Sequence, residues 1–190
     1  HAGVAVGDID SDDHIEIVTM VSHHEAGVTE CWPAVYQAVQ RGSSIELELE
    51  TVYGGGDYYC GAHGPAIADI DADGAIEVIL GFNVLEGSEL ALEWSQPSSS
   101  NGRGWYSAYR YSDGYWNSGY HSFPYDVDND GRTMEVVAGK HIYTHEGDIY
   151  CNLGENVGGS WVAARDGYPA VADIVRLPGD SRGDLEVVLT

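Results

Sequence analysis

Apolar and polar residues alternate along this chain in short runs, and the runs come in pairs. The stretch Ile45-Glu46-Leu47-Glu48-Leu49-Glu50 alternates strictly, which is the period of a β-strand with one wet face. Residues 34–40 form the run before it, across the turn Arg41-Gly42-Ser43-Ser44. Similar pairs fall at residues 105–111 and 115–118 around Ser112-Asp113-Gly114, and at residues 141–145 and 149–153 around Glu146-Gly147-Asp148. Asp/Gly turns between short alternating runs predict hairpins. No segment carries a convincing helical period. A short helix is expected only over residues 83–93, and the Ser/Gly-rich residues 96–104 read as an exposed loop. The pattern predicts an all-β protein.

One phrase recurs through these runs. Its first copy is Val4-Ala5-Val6-Gly7-Asp8-Ile9-Asp10-Ser11-Asp12-Asp13, followed by His14-Ile15-Glu16-Ile17-Val18. Its second is Ala66-Ile67-Ala68-Asp69-Ile70-Asp71-Ala72-Asp73-Gly74, followed by Ala75-Ile76-Glu77-Val78-Ile79-Leu80-Gly81. The third is Tyr125-Asp126-Val127-Asp128-Asn129-Asp130-Gly131, followed by Arg132-Thr133-Met134-Glu135-Val136-Val137-Ala138-Gly139. A degenerate fourth, Pro169-Ala170-Val171-Ala172-Asp173-Ile174-Val175, leads on to Leu185-Glu186-Val187-Val188-Leu189. The leading aspartates Asp8, Asp69, Asp126 and Asp173 are 61, 57 and 47 residues apart. Such periods suit blades of four antiparallel strands in a β-propeller, lengthened by loops. The expected units are 1–61, 62–118, 119–165 and an incomplete 166–190, about three and a half blades in one repeat domain.

Charge changes the picture next. The 190 residues hold 31 Asp+Glu against 8 Lys+Arg, a formal net charge of -23. Nucleic acid and anionic membrane surfaces would be repelled. A disordered acidic chain would lack the 13 Tyr and 5 Trp found here. No apolar run is long enough to predict a membrane-spanning helix. The chain opens on His1 with an apolar strand directly behind it, as in a mature, trimmed or partial chain. Three cysteines, Cys31, Cys60 and Cys151, leave at least one unpaired or paired to another chain; Cys31 and Cys60 could bridge neighbouring strands, but the sequence leaves the pairing open. No CxxC pair marks a zinc ribbon.

The acids are concentrated in the repeated loops. Asp69, Asp71 and Asp73 stand at the first, third and fifth places of theirs, Gly74 supplies a turn, and Glu77 stands ninth on the next strand. Carboxylates gathered about 4–5 Å apart repel by roughly 4 kcal/mol per pair at an effective dielectric near 20. A hard divalent cation turns that repulsion into binding, and an all-oxygen donor set in a flexible loop favours Ca²⁺. The first loop repeats the set with Asp8, Asp10, Asp12 and Glu16, but has Asp13 where Gly is expected. Asp also enters the left-handed region, which softens that departure. The third has Asp126, Asp128, Asp130 and Gly131, with Glu135 one place late. The fourth keeps Asp173 but has Val175 at the third place, with Asp180 and Asp184 nearby as substitutes. The expectation is about three calcium ions; the degenerate loop could hold another only if its substitutes serve as ligands. An EF-hand needs a bidentate Glu at the twelfth place. Thr19, Leu80 and Val137 stand there instead.

At these residues the chain resembles the FG-GAP/VCBS repeat family, whose phrase is a short apolar strand, an Asp-x-Asp-x-Asp-Gly loop, an acid and a second apolar strand. The match is best over residues 66–82 and takes in all four units. The resemblance implies a β-propeller with calcium held in the loop between the first two strands of a blade, and closure at about seven or eight blades. Carried over, the ligands are Asp8, Asp10, Asp12 and Glu16; Asp69, Asp71, Asp73 and Glu77; and Asp126, Asp128 and Asp130, with Glu135 displaced. Glu at the ninth place, where the family more often has Asp, leaves room for a water between acid and ion. The blades missing from a closed ring would come from the same protein or from other chains.

Further motifs were weighed against plainer readings. His23-His24-Glu25 reads as exposed loop residues more readily than as a metal site. Arg182-Gly183-Asp184 spells an integrin-binding tripeptide inside the degenerate loop, where Asp184 has a structural use. Trp105, Tyr106, Tyr109, Tyr111, Tyr115, Trp116 and Tyr120 suit packing between blades or stacking on sugar rings. No GxSxG, HExxH or P-loop phrase is present, and nothing separates a catalytic carboxylate pair from calcium ligands. The expectation is a non-catalytic, extracellular or cell-surface module for adhesion, assembly or binding of a glycan or protein. The alternatives are the propeller part of a secreted calcium-dependent polysaccharide-degrading enzyme and a subunit of an extracellular filament.

Overall fold

The computed structural model describes residues 3–25, 28–54, 64–96, 105–109, 116–157, 159–163, 169–172 and 186–189. Among them every regular element is a strand, and no helix is long and apolar enough to cross a membrane. Strands β1 (Val4–Gly7), β2 (Glu16–Glu25), β3 (Val28–Arg41) and β4 (Ser44–Val52) form an antiparallel meander. So do β5 (Ala66–Ala68), β6 (Glu77–Leu80), β7 (Asn83–Glu86) and β8 (Ala91–Ser95). Next comes a separate hairpin, β9 (Trp105–Tyr109) with β10 (Trp116–Tyr120). The third meander is β11 (Ser122–Tyr125), β12 (Glu135–Ala138), β13 (His141–Tyr143) and β14 (Ile149–Asn152). Two hairpins follow, β15 (Gly154–Val157) with β16 (Ser160–Ala163), and β17 (Pro169–Ala172) with β18 (Glu186–Leu189).

The three four-stranded sheets lie side by side, with β1 against β5 and β5 against β11. A parallel bridge from Gly64 to His121 joins the approaches to β5 and β11. Between the first two sheets, Ile9, Val18 and Val35 pack on Val78, Leu80, Leu85 and Leu90. Between the second and third, Ile70, Ile79 and Val84 pack on Val136, Ala138 and Tyr143. Gly7 keeps the first pair close, since a Cβ there would stand 2.6 Å from Ile67 Cδ1. Trp94 binds the second pair by donating its indole N–H to the His145 carbonyl at 2.7 Å and resting its ring on Gly147. The Met134 amide donates to the Ile70 carbonyl at 2.8 Å across the same interface.

The structure corrects three expectations. Residues 83–93 are β7, a turn and the start of β8, with no helix. The turn holds Gly87 and Leu90 in the left-handed region. Val84 and Leu85 are both buried because the second sheet is covered on both faces, so no alternation marks the strand. The expected outer strands of the second unit, residues 105–111 and 115–118, fall where described on β9 and β10, which among the described residues pair with each other and not with the second sheet. Finally, β4 alternates in sequence but is exposed on both faces at Ile45, Leu47 and Leu49 as well as Glu46, Glu48 and Glu50. Arg41 holds Glu46 and Glu48 along that edge. The hairpins at 34–52 and 141–153 and the pairing of the fourth repeat's two strands agree with the sequence reading. Cys31 is in a disulfide and Cys151 is a free thiol; Cys60 lies outside the described residues.

Candidate metal centres

Each meander carries its aspartate loop between the first two strands, and the three loops share one backbone course. The fourth residue of each, Ser11, Ala72 and Asn129, is left-handed, with φ of 61°, 64° and 56°. The sixth is left-handed as well: Asp13 at 67°, Gly74 at 96° and Gly131 at 71°. Asp13 therefore adopts the turn that glycine makes elsewhere, as its side chain allows.

The first aspartate of each loop acts as an internal cap. Asp8 accepts the amides of Asp12 and Asp13, each at 3.1 Å. Asp126 accepts those of Asp130 at 3.0 Å and Gly131 at 2.9 Å. Asp69 accepts the Gly74 amide through Oδ2 at 3.1 Å. The fifth residues reach forward: Asp12 to the His14 amide, Asp73 to that of Ala75 and Asp130 to that of Arg132, each at 2.8 Å.

The glutamate on the second strand closes each loop from below. Glu16, Glu77 and Glu135 are 0%, 2% and 4% exposed. Through Oε2 they accept the amides of Ile9, Ile70 and Val127 at 2.9, 2.6 and 2.8 Å. The displaced Glu135 makes the same bond because the extra residue is taken up in the loop. Arg132 and Thr133 both donate to Asp130 Oδ1, while Tyr125 still pairs with Glu135 as Gly7 pairs with Glu16.

Three acidic groups result, in each of which one oxygen per residue lies within 4.8 Å of the others. They are Asp8, Asp10, Asp12 and Glu16; Asp69, Asp71 and Glu77; and Asp126, Asp128 and Asp130. Each group can hold a metal ion. Asp73 and Glu135 stand outside their groups, although their counterparts Asp12, Asp130, Glu16 and Glu77 accept the equivalent backbone amides within theirs. Asp173, Asp180, Asp184 and the Arg182-Gly183-Asp184 tripeptide lie outside the described residues, as do Tyr111 and Tyr115. His23, His24 and Glu25 end β2, and Trp105, Tyr106, Tyr109, Trp116 and Tyr120 fall on β9 and β10.

The electrostatics of the groups suits a cation. Burial raises the Glu16, Glu77 and Glu135 carboxyls above the usual range, and nearby aspartates add to it; Glu77 is pushed up to about 7. Glu16 Oε1 and Asp69 Oδ1 are buried with no hydrogen-bond partner. Unpartnered buried oxygens are rare and costly, and coordination would satisfy them.

Sequence reasoning missed the amide-closing role of the glutamates. The only signal for it was their fixed place opposite the residue before the first aspartate. It also missed Gln37, whose side-chain amide on β3 donates to Asp12 Oδ2 at 3.2 Å, and Ser88, whose hydroxyl on the next sheet's turn donates to Asp10 Oδ2 at 3.1 Å. No family model matches the chain, and no curated protein or solved structure matches it either, so what these loops can do follows from their own geometry.

Proposed function

We propose that this chain is a non-catalytic calcium-binding repeat module of the FG-GAP/VCBS type, working outside the cell, with its sheets serving as blades of a propeller. The observation that carries the reading is threefold repetition. Three loops share two left-handed residues, a capping aspartate, a converging set of carboxylates and a buried glutamate beneath. An exposed acidic turn needs none of this if it only faces water. The donors are all oxygens, as hard cations require, and the loops can supply the irregular coordination that calcium accepts more readily than magnesium. Affinity is expected in the weak extracellular range, on the order of 10⁻⁴–10⁻³ M.

The propeller reading is supported by the side-by-side first strands and by the way each later sheet packs on the one before. Assembly is the surface use best supported by the described residues. Val6, Ile17, Tyr36 and Leu49 lie opposite one another across the first sheet. Their counterparts Ile67, Val78 and Leu85 pack the second sheet on the first. Val6 and Leu49 are 56% and 55% exposed. This face suits another sheet of the same repeat, from this protein or from another chain. With 8 Lys+Arg in all, the chain has little to offer an acidic sugar, which counts against the polysaccharide-degrading alternative.

The test is a pair of melts at neutral pH, one in chelator and one in excess calcium. Calcium bound only by the folded chain raises the melting temperature by several degrees. Superimposable curves would remove the basis for the proposal.

A further inference from the structure

We propose that the fourth strand of each sheet adds one side chain to its aspartate loop through a β-bulge, and that Glu50 and Glu93 thereby make the first two sites tighter for a divalent cation than the third, which receives Tyr150. The inference rests on the cation reading above and concerns how the three sites differ.

The ladder between third and fourth strands slips once in every sheet, always at the equivalent place. Val35 pairs with Thr51 and Tyr36 with Leu49, which leaves Glu50 over. Val84 pairs with Trp94 and Leu85 with Leu92, which leaves Glu93. Ile142 pairs with Cys151 and Tyr143 with Ile149, which leaves Tyr150. One slip would be a local irregularity. Three at matching positions are a built feature, and bulges commonly serve to re-aim a side chain.

The topology says where the extra side chain lies. In an antiparallel meander the loop between the first two strands and the turn between the last two share one end of the sheet. The direction of their titration agrees: partial desolvation first, and then nearby acids, raise all three groups, the acids being Glu16, Asp10 and Asp12 for Glu50, Asp71, Glu86 and Asp73 for Glu93, and Asp128 and Glu135 for Tyr150. Gln37 on the intervening β3 touches Asp12 directly, so the sheet does not screen its outer strands from the loop. All three bulge residues are exposed, which leaves space for a water between side chain and ion. Glu16 Oε1 and Asp69 Oδ1, buried without a hydrogen-bond partner, point separately to a ligand at the first two sites.

A carboxylate that reaches the loop through a water adds a negative charge and accepts a hydrogen bond from ion-bound water. A phenol can accept the hydrogen bond but adds no charge at neutral pH. The first two sites therefore exceed the third in effective charge, and calcium affinity follows ligand charge.

The experiment is calorimetric titration of the full chain with calcium, alone and as Glu50→Gln, Glu93→Gln, Glu93→Asp and Tyr150→Glu. The unmodified chain should show two tighter sites and one weaker, separated by about three- to tenfold. Each Gln variant should weaken one tighter site by that factor, Glu93→Asp should restore most of the loss, and Tyr150→Glu should tighten the third. Three equal sites, unmoved by every variant, would overturn the bulge assignment and leave the cation reading standing. No binding by the unmodified chain would overturn both. Melting in chelator serves as the folding control, since all four substitutions are at exposed positions.

Discussion

Desolvation, helped by Asp71, Glu93 and Asp69, holds the Glu77 carboxyl up at about 7 against an ordinary 4.5. Glu16 and Glu135 are raised for the same first reason. Unfolding returns these groups to the usual range, so from about pH 4.5 to 7 the folded chain binds more protons than the unfolded one. Stability linked to them is then fully present below that window and is lost as pH rises through it. Calcium-free protein should accordingly melt higher at pH 5.5 than at pH 7.5. Glu77→Gln should flatten the slope, and saturating calcium should reverse it by competing with the proton. A calcium-free melting temperature that falls steadily on acidification across this window would contradict the burial of these acids. A second residue-scale prediction concerns Asp13, left-handed at φ 67°. Asp13→Gly should stabilise the chelated protein by about 0.5–1 kcal/mol in a denaturant titration, whereas Gly74→Ala should destabilise it by a similar amount. At this scale the sequence was informative, because the Asp-x-Asp-x-Asp spacing and the odd Asp13 were visible in it. What it did not carry is which oxygens the folded loop turns together: Asp73 and Glu135 stand outside their groups although Asp12 and Glu16, with the same bonds to backbone amides, stand inside, and such differences leave no trace in spacing.

A strand loses its alternation in sequence when both faces meet the same surroundings, and it is then legible only by its turns or its place in a repeat. Residues 141–153 were found because an Asp/Gly turn marks their hairpin. Residues 83–95 were missed because the second sheet is packed on both faces, so that Val84 and Leu85 are equally buried. The aromatic hairpin β9–β10 was mistaken for the outer half of that sheet because Ser112-Asp113-Gly114 supplies the Asp/Gly turn of a hairpin and aromatics favour strands. Trp94 is the side chain that fixes β8 against the third sheet: its N–H meets the His145 carbonyl, its ring lies 5.8 Å from that of Tyr143, and it covers Gly147. Trp94→Ala should lower stability by about 2–4 kcal/mol, and Trp94→Phe by about 1 kcal/mol for the lost hydrogen bond, as read by denaturant titration. Equal, small effects of both would mean that the turn at 144–148 docks without the indole.

Across the whole molecule, the meanders stack so that the chain's acidity is gathered at the loops while apolar faces meet between sheets. The repeat period pointed to that plan, and three antiparallel four-stranded sheets follow it. The first interval holds the longest strands, β2, β3 and β4 of 10, 14 and 9 residues, while the hairpins β9–β10 and β15–β16 add to the second and third intervals beyond their shorter sheets. The exposed face carrying Val6, Leu47 and Leu49 should make the isolated chain self-associate as its concentration rises in sedimentation velocity. Leu47→Asp with Leu49→Asp should abolish the association without lowering the melting temperature, and a wild-type chain that stays monomeric throughout would refute assembly through this face.

All of this depends on divalent ions seated among the clustered acids, and equilibrium dialysis against calcium counts them directly. Roughly three ions per chain are expected, one for each acidic group, with one lost in Asp71→Ala. A well-folded chain that retains no calcium at millimolar concentrations would contradict the account at its base.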